Sequence, residues 1–567
     1  MHFGYVNFVD LYDVLLSAWE NHISSRENMD WRLAGNQQLH KAYAIGKHLI
    51  KISLQIKCYD FAIMHLEEYR SFDLKRRILF LKNIRKIKNP LLHTQLETID
   101  RQFRQLSAIE NPSDVELFTD ISELDKKVER LMRQGGSDAI HIDESLLNKE
   151  NSGSAYAATE SSANIMLLEF FYNEENSWCF AVQDNTIKQV IAFEGTGKAK
   201  ITEWIDLLIE SDLYNIFCTL PDGKTVIDKI KIANFNRVML ELDQCFYFKI
   251  KEALASLNPK AIVLIPFQAM NGLPLNILGY TEGEPLGLGR IVSFSPSECI
   301  YRELESNMLP AISNAVFFSN PLRVDSDFGE LPFSIEESLF AMKKLASHEI
   351  KTISYTGGEA SYENAYTVFP EAQLLHIGSH SFFNSAEPEK SGIILSNMKS
   401  DIQSKEITED ILTLQDFWVK INLQNCQFMN LSSCYSGMVE WNHLETDEFI
   451  GLINGCLYAG VHTVLANVAK VNDEISFLLN MFFYNKICSN GFRYADGLRD
   501  AIKELRGLTL ERMEEVSGCL PETKQASLKE HFMKAAAAFE TETPYSHPIF
   551  WSGYRIVGRR GNEDPYK

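Results

Sequence analysis

Two short segments decide the fold: residues 374–381, LLHIGSHS, and residues 428–437, FMNLSSCYSG. Each begins with an apolar run of the kind that forms a buried strand. Each then reaches a chemically reactive side chain, His380 in the first segment and Cys434 in the second. In α/β proteins, reactive groups collect at the carboxyl ends of parallel strands, where loops leave the sheet and form a cleft. The two segments therefore predict a nucleophile and its base at neighbouring strand ends.

From residue 261 onward, short apolar strands alternate with helical stretches, which is typical of a parallel sheet flanked by helices. Strands are predicted at residues 261–265, 315–319, 351–354, 373–377, 426–431 and 463–466, and helices at 335–346, 448–459, 474–487 and 494–505. A hairpin is predicted upstream, from residues 166–172 and 178–182. Residues 511–539 are helical and highly charged in pattern, and we expect them outside the sheet. The fold class is therefore α/β.

The first part of the chain has a different pattern. Over residues 1–134 apolar side chains recur at three- and four-residue intervals, which predicts an all-α region. Residues 58–71 fit the last unit of a degenerate tetratricopeptide array, with small Ala62 where two helices could approach closely, and fit an ordinary amphipathic helix equally well. Residues 135–163 become rich in Ser, Asn, Gly and acidic side chains, which predicts a linker.

Composition excludes several classes of function. The chain has 567 residues, too many for one compact core, and a formal net charge of −21, which disfavours direct binding of nucleic acid or anionic lipid. Its 10 cysteines form no CxxC pair and no Cys/His cluster at zinc-ligand spacing. No secretion signal and no apolar run of about 20 residues is visible. We expect a cytoplasmic protein without a membrane span, a metal or another cofactor.

Further motifs occur in a fixed order around the two segments. They are LIP at 264–266, LPL at 273–275, FSPS at 294–297, SNP at 319–321, GEAS at 358–361, DE at 447–448, AGV at 459–461 and HPIFWSGY at 547–554. In this order, over roughly residues 164–558, the chain resembles the CHAT proteases, caspase-like domains found with tetratricopeptide repeats and related to caspases and separase. The resemblance implies a degenerate caspase-like half over residues 164–345 and a catalytic half over residues 346–560.

The resemblance also implies roles for individual residues. Cys434 would be the nucleophile and His380 the general base and acid, because an imidazole beside a thiol of pKa about 8.5 raises the reactive thiolate fraction. Backbone N–H groups of Cys434 and of the His380 loop near Gly378 would form the oxyanion hole. The alternative for Cys434 is a buried core thiol. The chain departs from the family where Ser381 replaces the usual glycine after the histidine.

Substrate recognition is predicted less sharply. Caspase-like folds bind an extended peptide by main-chain hydrogen bonds, so we expect an added strand along residues 466–471, beginning with Ala466, Asn467 and Val468. The tryptophan that many family members have in this loop is absent here, where residues 466–473 are ANVAKVND. Asp447 and Glu448 would either line a pocket for a basic side chain or charge the N-terminus of a helix.

Two other patterns have simpler interpretations. GTGK at residues 195–198 imitates the end of a phosphate-binding loop, but Ala192 and Ala199 stand where the loop needs glycine and a hydroxyl, so we expect a turn. His376 lies four residues before His380. On a strand this spacing separates two side chains by about 13 Å, too far for one metal ion, which favours a structural His376.

The sequence thus yields two hypotheses of different classes. The first is a cysteine endopeptidase that cleaves a specific protein partner. By resemblance it would act in prokaryotic defence or regulated cell death, on a gasdermin-like pore former or an effector tied to CRISPR complexes. An activating protein partner would bind the helices of residues 1–134. The second hypothesis is a catalytically silent scaffold with a caspase-like fold.

Overall fold

The structure is a computed structural model. It describes residues 36–55, 57–70, 74–75, 78, 98, 164–219, 225–306, 309–323, 329–385, 387–397, 410–439 and 450–561. The predicted linker and most of the predicted N-terminal helical region lie outside the described residues. All structural statements below concern the described part of the chain.

The elements follow the predicted alternation of strands and helices. The helices are α1 (Asn36–Gln55), α2 (Tyr59–Tyr69), α3 (Lys198–Ile205), α4 (Lys229–Leu242), α5 (Phe248–Leu257), α6 (Leu286–Gly289), α7 (Glu298–Ser306), α8 (Pro332–Ala346), α9 (Tyr362–Val368), α10 (Leu414–Val419), α11 (Leu452–Ala459), α12 (Asp473–Ser489), α13 (Tyr494–Arg506), α14 (Leu510–Ser517) and α15 (Glu522–Phe539). The strands are β1 (Ile165–Tyr172), β2 (Ser177–Gln183), β3 (Thr186–Phe193), β4 (Phe217–Thr219), β5 (Thr225–Ile227), β6 (Ala261–Ile265), β7 (Ile291–Phe294), β8 (Asn314–Pro321), β9 (Lys351–Gly357), β10 (Leu374–Gly378), β11 (Ser381–Phe382), β12 (Gly392–Ile394), β13 (Ile411–Thr413), β14 (Phe428–Ser432), β15 (Thr463–Asn467) and β16 (Tyr554–Gly558).

One sheet of 11 strands organises the fold, in the order β3-β2-β1-β6-β7-β16-β15-β14-β10-β8-β9. Strands β1, β6, β7 and β16 run parallel to one another. Strands β15, β14, β10, β8 and β9 also run parallel to one another. The two sets meet at the antiparallel pair β15–β16. We call β1 to β7 with their connections the first half and β8 to β15 the second half; their parallel strands point in opposite directions.

Helices α8, α12 and α13 pack beside one another against this sheet. The central strands are buried on both faces, as is typical of parallel strands between helices, and all five residues of β6 and of β10 are buried. Phe428 of β14 stacks on Tyr494 of α13 with ring centroids 4.2 Å apart. Gly497 lets α13 approach α12 closely, because a Cβ there would lie 2.5 Å from Ile487 Cγ2.

The sequence-based fold class, a mostly parallel sheet flanked by helices, is confirmed. The predicted strands correspond to β6, β8, β9, β10, β14 and β15, and the predicted hairpin to β1 and β2. The stretch 511–539 contains two helices, α14 and α15, rather than one. The predicted domain boundaries stay a prediction. Strand β8 belongs to the predicted first domain by its position in the chain, but in the sheet it lies between β10 and β9, which belong to the predicted second domain.

The N-terminal helix α2 is attached to the first half by charged groups. Arg70, directly after α2, and Glu169 in β1 are both fully buried, with Arg70 Nη1 3.1 Å from Glu169 Oε2. The Glu67 carboxylate accepts hydrogen bonds from the backbone N–H groups of Glu298 and Cys299 at the start of α7, at 3.1 and 3.3 Å. Helix α2 therefore contacts two elements of the first half. In the described residues, no helix has the length and apolar character needed to cross a membrane.

Candidate active site

Strands β10 and β14 carry His380 and Cys434 to the same edge of the sheet. The two strands are adjacent and parallel, and Gly378 pairs with Ser432. His380 and Cys434 each follow this pair by two residues, so equal lengths of chain separate both side chains from the last paired position. The Ser381 hydroxyl also donates a hydrogen bond to the backbone carbonyl of Cys434. The structure therefore joins the two predicted segments at the ends that carry His380 and Cys434.

The His380 ring is oriented by a backbone group. Its Nε2 lies 2.7 Å from the carbonyl oxygen of Gly329. Because a carbonyl only accepts hydrogen bonds, Nε2 must carry a proton. In the neutral imidazole the proton acceptor is then Nδ1. The loop before α8 thus selects the tautomer of His380, and Gly329 is a site residue that the sequence did not reveal.

The Cys434 thiol lies against the loop that follows β15. Its Sγ is 3.7 Å from the carbonyl oxygen of Val471 and 3.4 Å from the Val471 backbone nitrogen. Burial raises the pKa of the Cys434 thiol, while the hydrogen bond to Val471 and the charge of Lys470 act in the opposite direction. The carboxylates of Asp212 and Asp473 raise this pKa further. In this conformation the sulfur is held as a protonated thiol.

A tight turn presents the thiol. Tyr435, immediately after Cys434, has a φ of 54°, a left-handed conformation that large side chains rarely adopt. Its backbone nitrogen donates to the carbonyl of Ala469 at 3.1 Å, and the Gly437 nitrogen donates to the carbonyl of Asn467 at 2.8 Å. Gly437 favours this close approach, because a Cβ there would lie 3.0 Å from the Asn467 carbonyl carbon. The turn is therefore tied to the end of β15 on both sides of Tyr435.

The Tyr435 side chain reaches into the first half. Its hydroxyl donates to Asp212 Oδ1 at 3.2 Å. Asp212 follows a π-helical segment, Asp206–Glu210, which continues α3. Burial and then the Asp212 carboxylate raise the pKa of Tyr435, so the hydroxyl stays protonated and remains a donor.

A cleft of about 250 Å³ lies on the loop that contacts the thiol; neither Cys434 nor His380 lines it. Three segments line it, one from the first half, one after β15 and one before β16: Tyr214, Asn215 and Phe217; Asn467 and 469–475; Ile549, Phe550 and Gly553. Val471 belongs to this lining and also contacts Cys434 Sγ. Burial raises the pKa of Asp473 in the cleft to about 7, with Glu337 and Glu474 adding to the shift and the Phe333 amide opposing it.

The residues predicted to hold substrate are placed differently. Ala466, Asn467 and Val468 are buried. β15 pairs with β14 on one side and β16 on the other, and the Val468 nitrogen donates to the carbonyl of Gly553 at 3.1 Å. Ala466 and Asn467 pair with Arg555 and Tyr554 of β16, so that side of the chain is occupied in this structure. The cleft is instead lined by the residues that follow them. The added peptide strand along residues 466–471 stays a prediction. Asp447 and Glu448 lie outside the described residues.

The two predicted oxyanion donors, the backbone N–H groups of Gly378 and Cys434, lie in different surroundings. Gly378 is the last residue of β10 and pairs with Ser432 in β14 and Ser319 in β8. Its N–H therefore lies in the plane of the sheet, as strand N–H groups do. Cys434 lies beyond β14 in the turn, where its N–H is not part of a strand ladder. The two amides therefore differ in their surroundings, and both stay predicted oxyanion donors.

Beneath the site, His376 has the structural environment that its spacing suggested. Its Nε2 lies 2.9 Å from Glu337 Oε1 and its Nδ1 lies 2.9 Å from the Tyr484 hydroxyl, all in the buried interior. Residues 195–198 form a turn leading into α3. Among the described residues, no three His, Cys, Asp or Glu side chains come together as a metal site. All ten cysteines lie in the described residues and none forms a disulfide.

Comparisons with known proteins place this site in context. A search of curated proteins finds no match to the chain. Among solved structures, separase of Saccharomyces cerevisiae in complex with securin aligns at 10% identity and a TM-score of 0.44, over 98% of this chain and 40% of the separase chain. The chain thus spans less than half of that protein. The Arg-specific cysteine proteinase gingipain R aligns at 9% identity and a TM-score of 0.34, over 64% of this chain and 74% of gingipain.

The family comparison covers the sheet and the site. The family model described as CHAT domain matches residues 237–559, which is more than half of the 567 residues. The matched range contains β6 to β16 and both predicted catalytic residues. It also contains two of the three segments that line the cleft; the third, residues 214–217, precedes it. The chain belongs to the CHAT domain family.

Proposed function

We propose that this CHAT domain protein is a cysteine peptidase in which Cys434 is the nucleophile and His380 the general base and acid. One observation carries the proposal. β10 and β14 are adjacent and parallel, and His380 and Cys434 follow the same paired position, Gly378 and Ser432, by two residues each. A cleft lined by Val471, whose backbone contacts the sulfur, supports the proposal as space for a substrate side chain.

The chemistry follows from the two side chains. In the proposed reaction, His380 Nδ1 takes the thiol proton and the thiolate attacks the carbonyl carbon of the scissile peptide bond. The oxyanion formed is stabilised by the N–H of Cys434, and a second donor comes from the chain that follows Gly378. His380 then protonates the leaving amine, and water hydrolyses the thioester to regenerate the thiol. The bond from Nε2 to Gly329 keeps the ring in the tautomer that this sequence of steps requires.

The resting thiol needs activation. Burial raises the pKa of Cys434, and the thiol donates to the Val471 carbonyl. In the proposed reaction, the loop of residues 469–473 moves away from the sulfur when substrate enters. The thiol then loses its hydrogen bond to Val471 and can give its proton to His380. We propose that the substrate is a protein partner, and that binding of an activating protein at the N-terminal helices favours this change. The setting we propose is cytoplasmic and, by the family resemblance, prokaryotic defence or regulated cell death.

The test uses the purified full chain and a fluorogenic peptide library with a variable residue before the cleaved bond. Cys434→Ala and His380→Ala are each expected to lower hydrolysis by about 10³-fold or more. Their free energies of unfolding should stay within about 1–2 kcal/mol of wild type. Cys519→Ala, which removes an exposed thiol away from the site, is the matched control and should hydrolyse peptides at the wild-type rate.

Two results would contradict the proposal. Hydrolysis by the Cys434→Ala variant at the wild-type rate would exclude Cys434 as the nucleophile. Failure of the wild-type chain to hydrolyse any peptide, with or without cell extract as a source of activator, would favour the silent scaffold.

A further inference from the structure

We propose that Asp212 is a positioning residue for the nucleophile: by holding the Tyr435 hydroxyl it fixes the left-handed turn that presents Cys434. This inference rests on the proposed cysteine peptidase activity and assigns a catalytic contribution to the first half of the sheet. Asp212 acts through Tyr435 and does not itself touch the sulfur or the substrate.

The conformation of Tyr435 is the first observation. Its φ of 54° is strained for a residue with a large side chain. Such a conformation persists only where surrounding contacts hold it, and it lies here directly beside the proposed nucleophile. If those contacts weaken, Tyr435 relaxes and the backbone of Cys434 rotates with it, since the two residues share one peptide unit.

The contacts that hold the turn are the second observation. The Ser381 hydroxyl holds the carbonyl of Cys434, and the Ala469 carbonyl accepts from the Tyr435 nitrogen at 3.1 Å. Both partners belong to the second half. The Tyr435 hydroxyl, by contrast, donates to Asp212 Oδ1 at 3.2 Å, 223 residues away in the chain. The turn is therefore fixed from the first half as well.

Asp212 is itself held in place. Its Oδ2 accepts from the Asn215 side-chain amide at 2.9 Å. Lys231 Nζ donates to the backbone carbonyls of Asp212 and Asn215, at 2.8 and 3.0 Å. The φ of Asp212 is 48°, which aspartate and asparagine tolerate better than most residues. The anchor is thus a compact loop between the π-helical segment and β4, held by Lys231 from the first turn of α4.

The same loop forms a wall of the cleft. Tyr214, Asn215 and Phe217 line the cleft beside Val471, the residue whose backbone contacts Cys434 Sγ. One loop of the first half therefore contacts the turn at Tyr435 through Asp212 and also lines the cleft. A purely structural bond would affect only folding stability, whereas a positioning role predicts a selective loss of turnover.

Three substitutions separate the hydrogen bond from the charge. Tyr435→Phe removes the hydroxyl, Asp212→Ala removes the acceptor, and Asp212→Asn keeps an oxygen acceptor while removing the charge. The matched control is Glu210→Gln, an exposed acidic residue two positions before Asp212. The measurements are kcat and KM on the best peptide of the library, and the pH profile of thiol alkylation by iodoacetamide.

Tyr435→Phe and Asp212→Ala should each lower kcat by about five- to tenfold, with KM within about twofold, because a hydrogen bond to a charged group is lost. The double variant should lose no more than either single variant, since both remove the same contact. Asp212→Asn should restore kcat to within about twofold of wild type.

Alkylation gives an independent pattern. Because the Asp212 carboxylate raises the pKa of Cys434, both Asp212 variants should move the alkylation midpoint to lower pH, and Tyr435→Phe should not. The limiting alkylation rate at high pH should rise about threefold in Tyr435→Phe and Asp212→Ala, whose turns are loosened, and stay unchanged in Glu210→Gln.

A Tyr435→Phe variant with kcat within twofold of wild type, or additive losses in the double variant, would overturn the inference. If Cys434→Ala cleaves as well as wild type, or wild type cleaves nothing, the proposed function fails instead. The limiting alkylation rates then decide the positioning role alone, and unchanged rates in Tyr435→Phe and Asp212→Ala would refute it.

Discussion

Replacement of Arg70 by methionine should destabilise the protein strongly, although Arg70 is far in sequence from the sheet it contacts. Arg70 and Glu169 are both 0% exposed and lie 3.1 Å apart. Arg70 Nη2 also donates to the carbonyl of Phe170, and its guanidinium lies 5.8 Å from the centroid of the Phe267 ring. Arg70→Met keeps the apolar stem but leaves the Glu169 carboxyl and the Phe170 carbonyl without their donors.

The expected magnitude follows from burial. Removing one partner of a fully buried ion pair typically costs about 3–5 kcal/mol, because the other charge stays desolvated. Burial raises the pKa of Glu169 well above its usual range, Glu67 and Glu298 raise it further, and Arg70 opposes them. Removing Arg70 removes the group that lowers this pKa, so the Glu169 carboxyl holds its proton more firmly, which limits the penalty. We therefore expect a loss near the lower end, about 3 kcal/mol.

The assay is urea unfolding of the full chain, followed by circular dichroism. Arg70→Met with Glu169→Leu should recover stability to within about 1 kcal/mol of wild type, because the double variant removes both charged groups of this pair. The matched control is Arg512→Met, which breaks an ion pair with Glu515 whose two side chains are 53% and 67% exposed, and should cost at most about 0.5 kcal/mol. A loss for Arg70→Met no larger than this control, or no recovery in the double variant, would refute the reasoning.

Two further changes test the cleft. Because burial raises the Asp473 pKa to about 7, the folded state binds the proton more tightly than the unfolded state, and stability falls as pH rises from about 4 to about 7. Asp473→Asn should therefore stabilise the protein by up to about 4 kcal/mol at pH 8, because each of about three pKa units is worth about 1.4 kcal/mol, and by almost nothing at pH 4. Urea unfolding at both pH values measures the effect, and an equal effect at pH 4 and pH 8 would contradict the raised pKa. Gly553→Ala should destabilise the protein by about 2 kcal/mol or more and lower kcat/KM, because the alanine Cβ would lie 2.3 Å from Asn467 Oδ1. If the variant unfolds and hydrolyses peptide like wild type, the backbone around Gly553 can move to make room for the methyl group.

The sequence predicted strands well where an apolar run was uninterrupted, as in β6, β10 and β14. It did not predict β16, Tyr554–Gly558, because Arg555 interrupts the run. In the structure Arg555 is buried, donates to the carbonyl of Asn271 at 2.7 Å and lies 4.5 Å from the centroid of the Phe294 ring. These partners come from residues more than 250 positions earlier, so no local pattern could show that an arginine belongs in a central strand.

The candidate site residues, like the strands, could be proposed from the sequence only where a local pattern marked them. His380 and Cys434 stood out because each ends an apolar run. Gly329 and Asp212 could not be found this way, since they lie 51 and 223 residues from their partners. The substrate strand was expected along residues 466–471 because the family resemblance implies binding of an extended peptide, and this stays a prediction. Sequence order did not show that β16 would occupy the other edge of β15.

The reversal of direction at β15–β16 explains why the cleft draws on both halves of the sheet. Because β16 runs antiparallel to β15, its amino end lies beside the carboxyl end of β15, where residues 469–475 leave the sheet. The chain entering β16 at Gly553 therefore faces that loop across the cleft. The parallel strands of the first half also begin at this edge, and their carboxyl ends lie at the opposite one. The first half is thus placed to line one side of the cleft and, through Asp212, to hold Tyr435. The proposed chemistry requires no reactive side chain at the carboxyl ends of its strands, because those ends lie at the opposite edge of the sheet.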